Sequence, residues 1–147
     1  PDYVRQISTA VTSELKELAP DAAAYFDEQQ TAWQTSMKPY DDVITRITAV
    51  AADKTFAASE PVFDYMADAL GLTNGTPKGY QDAALNESDP SPADIAEFEQ
   101  SLRDDKIDVL VYNTQTEGPT PEQIRGVADD AEVPVVDVSG LTWTTVP

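Results

Sequence analysis

Apolar residues in the first third of the chain recur every three or four positions. One stripe consists of Val4, Ile7, Val11, Leu15 and Leu18. A second, longer stripe consists of Phe26, Trp33, Met37, Tyr40, Ile44 and Ile47. Residues at this spacing share one face of an α-helix. The pattern predicts a helix within residues 1–19 and a long helix across residues 20–51, whose aromatic face is buried in a core. Pro39 has no N–H to donate to the carbonyl of Thr35, so we expect a kink near Thr35.

The remaining residues, 52–147, alternate between short apolar runs and amphipathic segments. The runs of strand character are residues 55–58 (TFAA), 107–112 (IDVLVY) and 133–138 (VPVVDV). Ser91-Pro92 and Thr120-Pro121 each place a hydroxyl N-cap before a proline at the first helical position, which predicts a helix at each place. Strands with little polar alternation that are separated by helices are typical of parallel sheets. We therefore predict an α/β fold, a small and mostly parallel sheet flanked by helices.

Residues 59–72 carry the transition from the first strand to a helix. Pro61 suits the first helical position, so Glu60 falls at or near the N-cap, and Gly71 is the candidate C-cap. The next stretch, residues 73–90, is rich in Gly, Pro, Asn and Asp. It is predicted to be mostly loop, with one short strand around residues 78–81.

Three polar segments follow the predicted strands. They are Ser59-Glu60, Asn113 to Gly118 (NTQTEG) and Ser139-Gly140. The carboxyl ends of parallel strands lie along one edge of a sheet, and ligands bind there. We expect these segments to converge and to carry the function.

The charge and composition exclude several classes of function. The chain has 27 acidic and 9 basic residues, a net charge of -18, which opposes binding to nucleic acid and attracts cations. It contains no Cys and no His, which excludes disulfides, thiolate and imidazole ligands, and His-based catalytic triads. No apolar run approaches the roughly 18 residues that a membrane-spanning helix requires.

The order of these elements resembles the C-terminal lobe of the TroA-like metal receptors of the actinobacterial type. These are extracytoplasmic zinc- and manganese-binding proteins of ABC importers. Residues 20–51 match the long backbone helix of that family. Residues 58–72 (ASEPVFDYMADALGL) resemble its strand-to-helix segment that bears the third metal ligand, and residues 88–138 resemble its next strands and helices. The resemblance implies a receptor and not an enzyme, with residues 52–147 as its α/β lobe.

The resemblance also implies a metal site. It places one ligand at Glu60, whose oxygen donors suit Mn²⁺ and tolerate Zn²⁺. The family's fourth ligand is an acid shortly after the last strand, where this chain has residues 139–142 (SGLT), so Asp137 is the nearest substitute. The first two ligands, both His, belong to an N-terminal lobe that this chain lacks. Residues 1–19 would belong to that lobe or pack on it, and the site in this chain would be incomplete.

The partners implied by the resemblance follow from the transport role. They are a divalent cation, zinc or manganese, as the transported ligand, and the permease of an ABC importer in the membrane. The resemblance further implies a monomer in an extracytoplasmic location, with the parent chain a cell-surface lipoprotein.

Three other interpretations remain open. Glu60 can be a carboxylate that complements a helix dipole, which contributes about 0.3–1 kcal/mol. The lobe can be a surface interaction or adhesion module without metal. It can also be an α/β enzyme domain in which Glu60 and Asp137 form an acid–base pair, although the chain has no nucleophile, phosphate-loop or dinucleotide-binding motif.

Overall fold

A computed structural model describes residues 2–116 and 118–139 of the chain. Residue contacts divide the chain into two units, Pro1–Val50 and Ala51–Pro147. The helices up to the boundary are α1 (Asp2–Leu18), α2 (Ala23–Ser36) and α3 (Lys38–Ala51), and a 3₁₀ turn (Pro20–Ala22) lies between α1 and α2. The second unit contains β1 (Thr55–Ala58), α4 (Asp64–Leu70), β2 (Thr73–Asn74), α5 (Lys78–Leu85), α6 (Pro92–Arg103), β3 (Val109–Asn113), α7 (Pro119–Asp130) and β4 (Val135–Val138).

The predicted long helix is divided at Met37 into α2 and α3. Met37 keeps helical torsion angles, with φ -80° and ψ -12°, and donates its N–H to the carbonyl of Trp33 at 3.1 Å. Its own carbonyl accepts from the N–H of Asp41 at 3.0 Å. Pro39 lacks the N–H that the carbonyl of Thr35 would accept, so the helix is interrupted between these two residues.

The polar side of α1 packs against α2. Ser8 and Thr12 donate their hydroxyls to Oε1 of Gln30 at 2.6 and 3.1 Å. One turn further along, Nζ of Lys16 lies 2.7 Å from a carboxylate oxygen of Asp27. Hydrogen bonds and an ion pair therefore join these two helices.

The apolar stripe of α1 is exposed. Ile7 is 63% exposed and Leu18 is 80% exposed. The other large apolar residues of this stripe are exposed as well: Val4, Val11 and Leu15. The helix itself is as predicted, but its apolar face has no partner among the described residues of the first unit.

The predicted core face of α2 and α3 is only half-buried. The half-buried positions are Phe26, Trp33, Met37, Tyr40 and Ile44, and Ile47 is exposed. No residue of α1 or α2 is fully buried. The expectation of a fully buried face was wrong, because the side of α1 that contacts α2 presents Ser8, Thr12 and Lys16.

The second unit is built on a four-stranded sheet of order β2-β1-β3-β4. All three strand pairs are parallel, with Phe56 opposite Val109 and Leu110 opposite Val135. This confirms the predicted fold class. The carboxyl ends of β1 and β3 consequently lie side by side.

Two clusters of buried side chains cover the two faces of the sheet. One contains Ala57, Tyr80, Phe98, Leu102, Ile107, Leu110, Ile124, Val127, Ala128 and Val133, so α5, α6 and α7 pack on that face. The other contains Phe56, Ala58, Ala67 and Val111, with α4 against it. Successive strand residues point to opposite faces, which explains why neighbours such as Phe56 and Ala57 belong to different clusters.

Two local predictions need correction. Residues 78–81 form the start of helix α5, not a strand, because Tyr80 packs into the core against Phe98 with ring centroids 4.8 Å apart. Helix α7 begins at Pro119 with Gly118 as its N-cap, and not at Pro121 with Thr120 as its N-cap, because Pro119 already provides a proline in the first turn.

Two capping predictions are confirmed. The N–H of Asp94 donates to Oγ of Ser91 at 3.3 Å, and Oδ2 of Asp94 accepts from the N–H of Ser91 at 3.0 Å, which completes a capping box. Gly71 ends α4 with φ 72°, a left-handed conformation that suits glycine.

Among the described residues, no helix combines the length and apolarity that crossing a bilayer would require.

Candidate metal site

Ser59 joins the carboxyl ends of β1 and β3. Its N–H donates to the carbonyl of Val111 at 3.0 Å, and its Oγ accepts from the N–H of Asn113 at 3.0 Å. Ser59 is 2% exposed, so both bonds are shielded from water. Two of the three polar segments therefore converge as predicted. The third segment is Ser139-Gly140, and its Gly140 lies outside the described residues.

Asn113 folds the loop that follows β3. Its Oδ1 accepts from the N–H of Gln115 at 3.1 Å, and its Nδ2 donates to Oγ1 of Thr116 at 3.0 Å. The side chain is buried, with 7% of the residue exposed. An asparagine that bonds the backbone two residues on forms an Asx turn, and this turn brings Thr116 back over the end of the strand.

Glu60 follows Ser59 and occupies the N-cap of a 3₁₀ turn, Pro61–Phe63. Its backbone is extended, with φ -149° and ψ 151°, and its side chain makes no capping hydrogen bond. Burial raises the pKa of the Glu60 carboxyl, and hydrogen bonding from Thr116 partly opposes this rise. Burial, with the nearby charge of Glu60, raises the pKa of Tyr80 to about 12. The carboxylate is thus half-buried between a hydroxyl and an aromatic ring instead of capping the turn.

A cavity of about 310 Å³ opens beside Glu60. It is lined by Ser59, Glu60, Tyr80, Ala84, Ser88, Asp89, Pro90, Thr116, Gly118, Pro119, Thr120 and Pro121. The described lining contains two carboxylates and several hydroxyls and no basic side chain. Hard divalent cations prefer oxygen donors of this kind, so the chemistry of the cavity suits a cation.

Asp137 lies elsewhere. It is aligned with Tyr112 in the β3–β4 pair, and its two carboxylate oxygens accept from Arg125 at 2.6 and 3.3 Å. The guanidinium of Arg125 also lies 4.7 Å from the centre of the Tyr112 ring. Asp137 does not line the cavity beside Glu60, so these two predicted site residues are not brought together there.

The described part of the chain contains no group of three or more Asp, Glu, His or Cys side chains arranged to hold a metal ion. The resemblance expects an acid within residues 139–142, of which residues 140–142 lie outside that part. Sequence reasoning did not single out Tyr80, Asp89 or Thr116. Thr116 belongs to the polar segment Asn113 to Gly118, which the sequence does predict to lie at the site. Tyr80 and Asp89 belong to residues 73–90, which are predicted to be mostly loop.

A family model provides the decisive comparison. The model for ZnuA, described as the periplasmic component A of a zinc-uptake complex, matches residues 1–145. The chain belongs to the ZnuA family. This is a family of solute-binding receptors and not of enzymes, in agreement with the sequence analysis. A comparison with curated protein sequences gives no match.

Solved structures of ZnuA, TroA and Lmb share the fold. A ZnuA crystal structure superposes with a TM-score of 0.73 at 17% identity, covering 93% of this chain and 50% of that one. The periplasmic zinc-binding protein TroA from Treponema pallidum gives 0.64 at 20% identity, covering 88% and 46%. Lmb of Streptococcus agalactiae, described as an adhesin with metal-transporting activity, gives 0.65 at 19% identity, covering 88% and 47%. This ZnuA-family chain spans about half the length of these relatives.

Proposed function

We propose that the chain is the C-terminal lobe of an extracytoplasmic receptor that binds zinc or manganese for an ABC importer. The observation that carries this proposal is the ZnuA-family match across residues 1–145. The cavity beside Glu60 supports it, because it lies at the carboxyl edge of a parallel sheet and is lined by oxygen donors. The whole receptor would be a monomer that delivers its cation to a membrane permease, with its parent chain held at the cell surface as a lipoprotein.

Within this proposal, Glu60 is a metal ligand. It is half-buried, it makes no capping bond, and it faces the cavity. Asp137 remains the second proposed ligand, but Arg125 occupies both of its oxygens, so it would have to leave this ion pair to bind a cation. Glu60 is therefore the stronger of the two proposed ligands.

The lobe alone is expected to bind metal weakly. The two carboxylates of the cavity, Glu60 and Asp89, supply too few donors for a cation that prefers about six oxygens, so water would fill the remaining positions. Calorimetric titration with Mn²⁺ and Zn²⁺ should give no site tighter than about 10⁻⁴ M. In NMR spectra, low concentrations of Mn²⁺ should broaden the amide signals of residues around the cavity first.

Glu60→Gln is expected to remove this selective broadening without changing the fold, because a neutral amide is a poorer donor to a cation. Glu97→Gln is the matched control, since Glu97 is exposed on α6 and does not line the cavity. Broadening that persists unchanged in Glu60→Gln, or a micromolar site in the unmodified chain, would contradict the proposed role of Glu60.

We also propose that α1 packs on an N-terminal lobe of the whole receptor. Its polar face already contacts α2, and its apolar stripe is left exposed. The structural relatives are about twice as long as this chain, so a further lobe is available to cover the stripe.

The test compares this chain with a longer natural chain that contains both lobes. Ile7→Ser should change the unfolding free energy of the present chain by less than about 0.5 kcal/mol, because the side chain is exposed. In the longer chain the same change should cost about 1–3 kcal/mol, since Ile7 would be buried. Ser8→Ala, on the side of α1 that contacts α2, should have similar effects in both. Equal small effects of Ile7→Ser in both chains would refute the contact.

A further inference from the structure

We propose that Asn113 and Thr116 position the carboxylate of Glu60 for the cation, with Thr116 as the residue that contacts it. This inference rests on the proposed function of Glu60 as a ligand. It concerns residues of the β3 loop that no sequence motif identifies.

The first link is the anchoring of Asn113. Its N–H donates to the buried Oγ of Ser59 at 3.0 Å, so the end of β3 is fixed to the residue that directly precedes Glu60. Asn113 is 7% exposed and Ser59 is 2% exposed, and burial limits the freedom of both side chains. The two segments that carry Glu60 and Thr116 therefore keep a fixed relation.

The second link is the orientation of the Asn113 amide. Oδ1 accepts from the N–H of Gln115 at 3.1 Å. A backbone N–H can only donate, so the amide oxygen must face Gln115 and the NH₂ group must face Thr116. Nδ2 accordingly donates to Oγ1 of Thr116 at 3.0 Å.

The third link is the direction of the Thr116 hydroxyl. A hydroxyl has one hydrogen and two lone pairs, and the Asn113 amide occupies a lone pair. The hydrogen is then free to be donated. In this proposal its acceptor is the carboxylate of Glu60, which lines the same cavity. Burial raises the pKa of that carboxyl, and hydrogen bonding from Thr116 lowers it. An ionised carboxylate accepts at about four positions, so this bond leaves lone pairs available to a cation.

The consequence is a carboxylate that is held in place before the cation arrives. Groups that orient a metal ligand commonly change metal affinity by about 10–100-fold when they are removed. Thr116→Val removes the hydroxyl and keeps the shape of the side chain, and Thr116→Ser keeps the hydroxyl. Comparing these two variants separates the effect of the hydrogen bond from the effect of side-chain packing.

The first measurement uses the metal-free chain. The couplings between the Hα and Hβ protons of Glu60 report whether its side chain occupies one rotamer. We expect one dominant rotamer in the unmodified chain and in Thr116→Ser, and averaged couplings in Thr116→Val. Should Thr116→Val fail to fold, Thr116→Ala removes the same hydroxyl from a smaller side chain.

The second measurement is the Mn²⁺ concentration that broadens signals around the cavity. It should rise about tenfold in Thr116→Val and stay within about twofold in Thr116→Ser. Thr114→Val is the control, because its hydroxyl donates to the carbonyl of Val138 and does not line the cavity. The proposal is overturned if Thr116→Val behaves like the unmodified chain. It is also overturned if Thr116→Ser needs as high a Mn²⁺ concentration as Thr116→Val.

The role of Glu60 as a ligand and the positioning role of Thr116 can be refuted independently. If Glu60→Gln leaves the Mn²⁺ effect unchanged, the role of Glu60 as a ligand is wrong. The metal-free couplings of Glu60 still decide whether Thr116 positions it. The Glu60 couplings can depend on the Thr116 hydroxyl while the Mn²⁺ concentration needed for broadening does not. In that case Thr116 orders the Glu60 side chain without affecting cation binding, and the positioning role is rejected.

Discussion

Phe98→Ala is expected to lower the unfolding free energy of the α/β unit by about 3–5 kcal/mol. Phe98 is 0% exposed, and its ring meets the ring of Tyr80 edge to face at 4.8 Å. Removing it takes away the buried ring and leaves a cavity between α6 and the sheet. The measurement is urea denaturation followed by amide signals of residues 55–138.

The control for this substitution is Leu85→Ala on α5. Leu85 is 58% exposed, so its truncation should cost less than about 1 kcal/mol. Similar losses for the two variants would show that the cluster around Phe98 does not stabilise the unit.

Ser59→Ala is expected to cost about 1–3 kcal/mol, although it removes a single oxygen. Its Oγ accepts the buried N–H of Asn113, and that amide would be left without an acceptor and away from water. The same substitution should speed hydrogen exchange at the amide of Asn113. Urea denaturation and exchange measured by NMR together test this.

Ser101→Ala provides the comparison. The hydroxyl of Ser101 donates to the carbonyl of Glu97 within α6, and alanine is the better helix former, so the change should stay within about 0.5 kcal/mol of zero. An equally small effect for Ser59→Ala would mean that the edge between β1 and β3 is held by other contacts.

The position of Glu60 was predictable because it depends on local sequence rules. The apolar run of residues 55–58 indicates a strand, and Pro61 indicates the start of a helical turn, so Glu60 must fall between them. The parallel sheet then dictates which loops share an edge. The meeting of Ser59 with the loop that starts at Asn113 follows from topology alone.

The rest of the cavity was not predictable in the same way. Helix α5 contains Gly79 and follows Pro77, and it is fixed by the packing of Tyr80 on Phe98, which lies 18 residues further along the chain. Asp89 faces the cavity because α5 and α6 are placed on the sheet. Contacts between segments distant in sequence decide these positions, and local propensity does not encode them.

The first unit shows a different limit. The stripe of α1 correctly predicts a helix, since periodicity depends on the helix geometry. It does not identify what the apolar face contacts. The polar side chains Ser8 and Thr12 turn out to make the contact with α2, through Gln30.

The exposed stripe of α1 also affects how the isolated chain behaves in solution. Apolar faces on two molecules attract each other, whereas a net charge of -18 on each molecule keeps them apart. Salt shortens the range of this repulsion, from about 10 Å at 0.1 M to about 3 Å at 1 M, and leaves the apolar attraction in place. Preparations of this chain should therefore be kept at low ionic strength, because salt removes the repulsion that keeps the molecules dispersed.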